Sequence, residues 1–257
     1  MQVQLIRHAT LLVKAAGKTL LVDPMLAPHG QYDPVPRSAN QIRIPLVDLP
    51  LPSDELPGLL ASVDAVLLTH THADHWDPVA QQLLDKSLPI LCQPADTETV
   101  RAQGFTHVQP IETQLDWEGI RINRTGGQHG TGEIGQMMGA VSGFVLEADG
   151  QRLYLAGDTI WCEEVSQALD QYRPDAVVLN AGGARFLQGD PIVMTAAEVA
   201  QVARHAPQAA VYAVHLETVN HSAEDRAATK SSLAQAGLSA RAHVPADGEW
   251  LPLPRLV

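Results

Sequence analysis

A chain of 257 residues, 45% hydrophobic and 18% charged, is long enough to bury a sizeable core and reads as one soluble α/β domain spanning 1–257. Its formal charge of −12, without clustered Lys and Arg, argues against nucleic acid as the main partner and reads as a solubilising surface.

Three short strands are expected at the start, over Val3–Arg7, Thr10–Ala15 and Thr19–Asp23, with Ala16-Gly17-Lys18 turning between the last two. Residues 24–58 carry seven prolines from Pro24 to Pro52 and an eighth at Pro57, without periodicity, which reads as a long loop at the rim of a site. The apolar run Ala65–Leu68 is a buried strand leading into Thr69-His70, followed by a helix over Asp77–Lys86, a strand at Pro89–Cys92 and a helix over about Ala95–Gln103. Ile120–Arg124 runs into the loop Gly126-Gly127-Gln128-His129-Gly130, and a hairpin pairs Ala140–Glu147 with Arg152–Ala156 around Asp149-Gly150. Strand and helix then alternate: Gly157-Asp158 after a strand, helix Ile160–Leu169, strand Ala176–Leu179, helix Thr195–His205, strand Ala210–Val214 into His215, and a helix over about Ala223–Ala236. Two similar halves of this kind suit two mixed sheets covered by helices, an αββα sandwich. The glycines of Gly127–Met138 match neither dinucleotide-binding nor phosphate-loop spacing.

Met1–Arg7 lacks a basic segment followed by an apolar one, and no apolar run approaches ~18 residues, so no secretory signal and no membrane partner are expected, and the cytoplasm is the expected compartment. Two cysteines are too few for a disulfide framework: Cys92 reads as a buried thiol and Cys162 as a helix-face filler.

The most informative segment is His70-Thr71-His72-Ala73-Asp74-His75. Three histidines and an aspartate within six positions, where a buried strand ends, have little use as a solvated turn and suit metal ligation. His70 and His72 alternate and can face one way, while Asp74 and His75, on the next bend, can serve a second centre.

This HxHxDH segment resembles the signature of the metallo-β-lactamase superfamily. His129 in its Gly-rich loop, Asp158 at a strand end and His215 at a later strand end follow at intervals of 54, 29 and 57 residues, in the superfamily's order. The resemblance implies that His70, His72 and His129 hold one divalent metal ion, that Asp74, His75 and His215 hold a second, and that Asp158 bridges both. Zinc is the expected metal, with manganese or iron compatible with the same ligands. Two such ions activate water and polarise the scissile bond, which also makes Asp74 a catalytic residue. The nearest subgroup is the lactonase-like proteins related to L-ascorbate-6-phosphate lactonase, in which the loops after the third and last histidines shape the pocket. On that footing Glu133, Glu217 and Asn220 are expected to bind substrate, and His221 to contact it or protonate the leaving group, with capping of the following helix as its other reading. Asp23 is expected to orient a ligand histidine or cap a turn, and Asp77 to do likewise or cap the helix at Pro78. Trp76, Trp161 and Arg185 could line the mouth, with Trp76 better suited to packing beneath the centre. His8 and His29 could rim it, while His107, His205 and His243 read as solvated or backbone-satisfied.

The implied function is metal-dependent hydrolysis of a small ester, lactone or phosphoester by a protein that could form homo-oligomers. Nucleases of this superfamily add arms or domains for which 257 residues leave little room. Iron-dependent oxidative chemistry and a non-enzymatic metal-binding role are the alternatives.

Overall fold

The structure, a computed structural model, describes residues 1–254. Gln2–Arg7 (β1), Thr10–Ala15 (β2) and Lys18–Val22 (β3) form an antiparallel meander, and Ala65–Leu68 (β4), Ile90–Cys92 (β5) and Val108–Pro110 (β6) extend it in parallel. Gln114–Trp117 (β7), Ile120–Thr125 (β8), Gly143–Ala148 (β9) and Gln151–Leu155 (β10) begin a second antiparallel meander, which Ala176–Asn180 (β11), Ala210–Val214 (β12) and Ala242–His243 (β13) extend in parallel. Trp250–Leu251 (β14) returns to pair with β1. The result is two seven-stranded sheets built to the same plan, in the orders β14-β1-β2-β3-β4-β5-β6 and β13-β12-β11-β10-β9-β8-β7.

Burial explains the strand sequences. β4 and β11 are buried along their whole length, because each is covered on both faces, and so read as continuous aliphatic runs. Leu5, Leu20, Leu67, Phe144, Leu153 and Tyr212 belong to the core between the sheets. A second cluster, with Val165, Leu169, Val199 and Val202, lies under helices Glu163–Tyr172 (α5) and Ala196–His205 (α6). A third, with Leu21, Val66, Trp76 and Phe105, lies on the outer side of the first sheet near helices Leu56–Ala61 (α1), Pro78–Leu83 (α2) and Thr97–Ala102 (α3). Four layers follow, helix-sheet-sheet-helix, as the alternation of elements implies.

Both expected hairpins are two-residue turns with positive φ at Ala16-Gly17 and Asp149-Gly150, matching the twist of paired strands. Helix starts fall later than the sequence suggests. α5 begins at Glu163 rather than Ile160, because the Ile160 N–H is bonded to the Gln128 carbonyl and so ties that segment to the His129 loop. Asp225 caps Arg226–Gln235 (α7), and a 3-10 turn at Pro94–Asp96 precedes α3. The glycine-rich stretch after His129 is not all loop: Gly132–Met138 (α4) is a helix.

Residues 24–58 are an ordered loop leading into α1. The buried Arg7 guanidinium donates to the carbonyls of Met25, Ala27 and Val47, and Tyr32 pairs with Ile44. Asn220 clamps the middle: its Oδ1 accepts from Val35 N at 2.8 Å and its Nδ2 donates to Ser38 Oγ and to Asn40 O at 2.9 Å.

Candidate metal centre

Strand ends from both sheets converge on one point. β4 delivers His70, the bend behind it delivers His72, Asp74 and His75, the turn after β8 delivers His129, β10 delivers Asp158, and β12 delivers His215. Gly157, at φ +69°, lets β10 turn into Asp158, and a Cβ there would lie 2.7 Å from the Ser142 carbonyl oxygen. Asp23 and His215, at φ 42° and 69°, hold a left-handed backbone that costs non-glycine residues energy and recurs at functional sites.

Side-chain donors form three overlapping groups, each within 4.8 Å: His70 with His72 and His129; His70 with His75 and Asp158; and His8 with Asp74, His75 and His215. His75 Nε2 lies 3.3 Å from Asp158 Oδ2 and 3.8 Å from Asp74 Oδ2. His129 Nε2 lies 3.5 Å from Asp158 Oδ2, and His215 Nε2 3.6 Å from both Asp158 Oδ1 and Asp74 Oδ2. The ligand-to-ligand edge of a tetrahedral site with ~2.1 Å bonds is about 3.4 Å, so these spacings suit a cation bound between the donors. Three of those nitrogens, Nε2 of His75, His129 and His215, are buried without a hydrogen-bond partner. Buried polar atoms are rarely left so, and bound metal would satisfy all three. The donor set of imidazole and carboxylate, without thiolate, suits zinc and tolerates manganese or iron.

Behind the ligand atoms lies a second set of contacts. Asp23, 1% exposed, accepts from Thr69 N at 2.8 Å, Thr69 Oγ1 at 2.6 Å and His75 Nδ1 at 2.9 Å. With its own proton given to Asp23, the Thr69 hydroxyl can only accept from His70 Nδ1 at 3.0 Å. His129 Nδ1 donates to Ile192 O at 2.8 Å, and Asn180 Nδ2 donates to Asp158 Oδ1 at 2.7 Å. Each of these contacts directs the far nitrogen or oxygen toward the centre.

The electrostatics are strongly coupled. Burial disfavours charge on His75, but the carboxylates of Asp158 and Asp74 outweigh it and hold the imidazole well above its ordinary range. Burial likewise opposes ionisation of Asp74 and Asp158, yet His75 and the neighbouring imidazoles hold both well below the usual carboxylate range. Burial, reinforced by the neighbouring histidines, pushes His70 well down, and His129 is lowered by burial too.

A model of the beta-lactamase superfamily domain matches residues 19–216, which include every one of these strand-end residues from Asp23 to His215. The UPF0173 protein YddR of Bacillus subtilis is 37% identical over 97% of this chain and 98% of its own length. The chain belongs to the beta-lactamase superfamily, in its UPF0173 family. Further UPF0173 relatives are described as metal-dependent hydrolases. Two solved structures are similar throughout. One is a possible metal-dependent hydrolase from Veillonella parvula (37% identity, TM-score 0.93, covering 98% of this chain and 99% of the other). The other is an isothiocyanate hydrolase from Delia radicum gut bacteria (35% identity, TM-score 0.92, with the same coverage).

In this UPF0173 protein a small cavity of about 210 Å³ opens onto His72, Asp74, His129 and Asp158. Its other walls include Val35, Ile44, Met138, Phe186, Ile192 and His221. None of the lining residues is Lys or Arg; Arg37 lies over the Phe186 ring and donates to Met137 Sδ at the rim. A wider depression of about 660 Å³ beside α1 and α2 holds no histidine. His221, 9% exposed, stacks against Phe186, keeps Nδ1 free of partners and is pushed down by burial to about 4, so its imidazole is neutral at neutral pH.

Several expected site residues lie elsewhere. Asn220 is spent on clamping the 24–58 loop. The Glu217 carboxylate accepts from the Arg226 N–H at 2.8 Å and from its guanidinium, because the chain turns at Glu217, φ 62°, away from the cavity. Glu133 sits on the exposed face of α4. Asp77 accepts from Ala80 N and Ala27 N, which makes it a helix cap tied to the loop after β3 and leaves it without a bond to a ligand histidine. Trp76 packs on Phe105 below the centre, Trp161 on His205, and Arg185 and His29 are exposed. Cys162 lies 3.5 Å from Thr159 Oγ1 and outside the ligand groups. Among the described residues, no helix is long and apolar enough to cross a membrane.

Residues that the motif reading passed over are Thr69, Asn180 and the Ile192 carbonyl. The one signal available was that Thr69 and Asn180 end fully apolar strands, where a polar residue is out of pattern. His8, expected at the rim, is instead fully buried inside the Asp74 group.

Proposed function

We propose that this protein is a hydrolase whose centre holds two divalent metal ions, zinc for preference: His70, His72 and His129 at one, Asp74, His75 and His215 at the other, and Asp158 shared. Two ions so held supply water activated for attack at neutral pH and a Lewis acid for the electrophile. The observation that carries this reading is the convergence of three buried, partnerless imidazole nitrogens on the Asp158 carboxylate. Asp23 fixes His75 directly and His70 through Thr69.

The substrate is a small uncharged carbon electrophile with an apolar substituent. Val35, Ile44, Met138, Phe186 and Ile192 favour such a group, and the absence of Lys and Arg among the lining residues disfavours a phosphoester. An ester, a lactone or an isothiocyanate fits; the activity of the relative from Delia radicum gut bacteria favours the last. There, one water adds to the central carbon of R–N=C=S, the carbon–nitrogen bond breaks, and amine and carbonyl sulfide leave. Neutral His221, in the cavity wall, is placed to hydrogen-bond the substrate heteroatom and to relay a proton of the attacking water to the leaving nitrogen or oxygen.

Elemental analysis of purified protein, paired with an alkyl and aryl isothiocyanate, lactone, ester and phosphodiester panel, tests this. Two ions per chain and chelator-sensitive turnover of neutral substrates are expected. One ion per chain, or preference for the phosphodiester, would refute the respective half of the reading. Asp158→Ala should disturb both ions, and retention of two would remove it from the shared position.

A further inference from the structure

His8 occupies the tight turn between β1 and β2 at φ 62°, a conformation that glycine or asparagine would hold more cheaply, and is wholly buried. Its Nε2 lies 3.2 Å from Asp74 Oδ2. Its ring packs on that of His215, centroids 3.7 Å apart with the planes tilted by 33°, and its carbonyl accepts the His215 N–H at 2.9 Å. The same residue therefore touches one carboxylate supplied by the first sheet and one imidazole supplied by the second.

The surroundings of the other imidazoles give this contact its meaning. His70, His75 and His129 each have Nδ1 fixed by a hydrogen bond, to Thr69, Asp23 and the Ile192 carbonyl. His215 has no such partner at Nδ1. Its ring is held by ring contacts instead, with His8 at 3.7 Å the nearer and His75 at 5.3 Å the farther. An Nε2–H on His8 also gives Asp74, an acceptor, the donor that fixes its rotamer and leaves the solvent-free Nδ1 bare, which costs less than burying an unpaired N–H.

We propose that His8 is a positioning residue for the second metal site, fixing Asp74 by a hydrogen bond and His215 by stacking, and that it takes the place of the hydrogen bond His215 lacks. The inference rests on the two-ion reading above.

Metal-free full-length protein, titrated with zinc against a chromophoric chelator, tests it in the wild type, His8→Ala and His8→Phe. In His8→Ala the affinity for the second zinc should fall by roughly 10–100-fold while that for the first is unchanged. His8→Phe keeps a ring against His215 but no donor to Asp74, so its second affinity should fall between the two. The Phe variant keeps the buried volume and decides the matter if the Ala variant does not fold. Cobalt provides an independent readout: the visible spectrum of the second equivalent should change in His8→Phe, that of the first should not. A wild type that binds one ion overturns the two-ion reading and this inference with it. Two ions in the wild type, with the second affinity and spectrum unaltered in His8→Phe, or with both affinities equally weakened, overturn this inference alone.

Discussion

Replacing Asp23 by asparagine keeps the shape of the side chain and reverses one polarity. The carboxylate accepts three hydrogen bonds, from Thr69 N, Thr69 Oγ1 and His75 Nδ1. An amide can keep the first through its oxygen, but its NH2 then faces the Thr69 hydroxyl and His75 Nδ1. His75 must become an acceptor at Nδ1, which puts its proton on Nε2, the atom 3.3 Å from Asp158 Oδ2. The Thr69 hydroxyl, now receiving, turns its proton toward His70 Nδ1 and moves the His70 proton to its far nitrogen as well. On the two-ion reading, each centre would thus have one ligand held in the wrong tautomer. Losing a hydrogen bond to a charged partner costs about 1.5–3 kcal/mol, which is about 10–100-fold in affinity at each ion.

Thr69→Val cuts only the relay to His70, so it should weaken the first ion and leave the second alone. Zinc titration against a chelator, with thermal unfolding of the metal-free forms as the control, separates the two variants. Wild-type affinity at both ions in Asp23→Asn would refute the relay, and equal weakening of both ions by Thr69→Val would refute its branching.

Asn220→Ala removes the clamp on the 24–58 loop and should cost about 2–3 kcal/mol at roughly 1 kcal/mol per hydrogen bond, with faster amide exchange over residues 33–43 and a raised KM at unchanged metal content. Unchanged exchange there would refute the clamp. Glu217→Gln should lower the unfolding temperature through the Arg226 network while sparing kcat, and Glu133→Gln should alter neither; a kcat loss in either would restore the substrate role expected from sequence. Metal-free protein should lose stability as the pH falls from about 6.5 toward 4, because burial holds His8 down at about 3 and His221 at about 4 while the unfolded chain takes up protons. Each group contributes up to about 1.4 kcal/mol per pH unit in that window. His75, raised by its carboxylates, stays protonated in the folded chain through this window and loses its contribution only as the pH rises above about 6.5; denaturant titration at pH 7 and 5 should show a shallower dependence in His221→Gln than in the wild type.

The residues that meet at the centre were legible wherever they sit in a local pattern. HTHADH is contiguous, and His129, Asp158 and His215 each follow a strand marked by its own apolar run. Contacts made only by the fold were not: nothing near His8 in sequence announces Asp74 or His215, and nothing near Asn180 announces Asp158. Nearness along the chain also misled. Glu217 and Asn220 follow His215 closely, but the left-handed backbone at His215 and Glu217 swings them away from the cavity. The long strands and both hairpins were readable because turn residues and alternation agree. The edge strands β6, β7, β13 and β14 are two to four residues long and too short to carry a period.

Placing the centre where two sheets end has a consequence for the protein's stability. The ligands of the HTHADH bend come from the first sheet, while His129, Asp158 and His215 come from the second, so bound ions would cross-link the two halves. The halves do not depend on that link. Leu5, Leu20, Leu67, Phe144, Leu153 and Tyr212 already join the sheets in one buried cluster. Burial of each large aliphatic or aromatic side chain is worth about 1.5–3 kcal/mol, and such a cluster sums to far more than the few kcal/mol at stake in any single ligand. What the metal-free centre leaves unresolved is charge: two carboxylates, half-buried Asp74 and buried Asp158, face His75, which retains a proton because of them. A divalent ion held there would take over the role of that proton and displace it, so metal binding would be coupled to pH through His75.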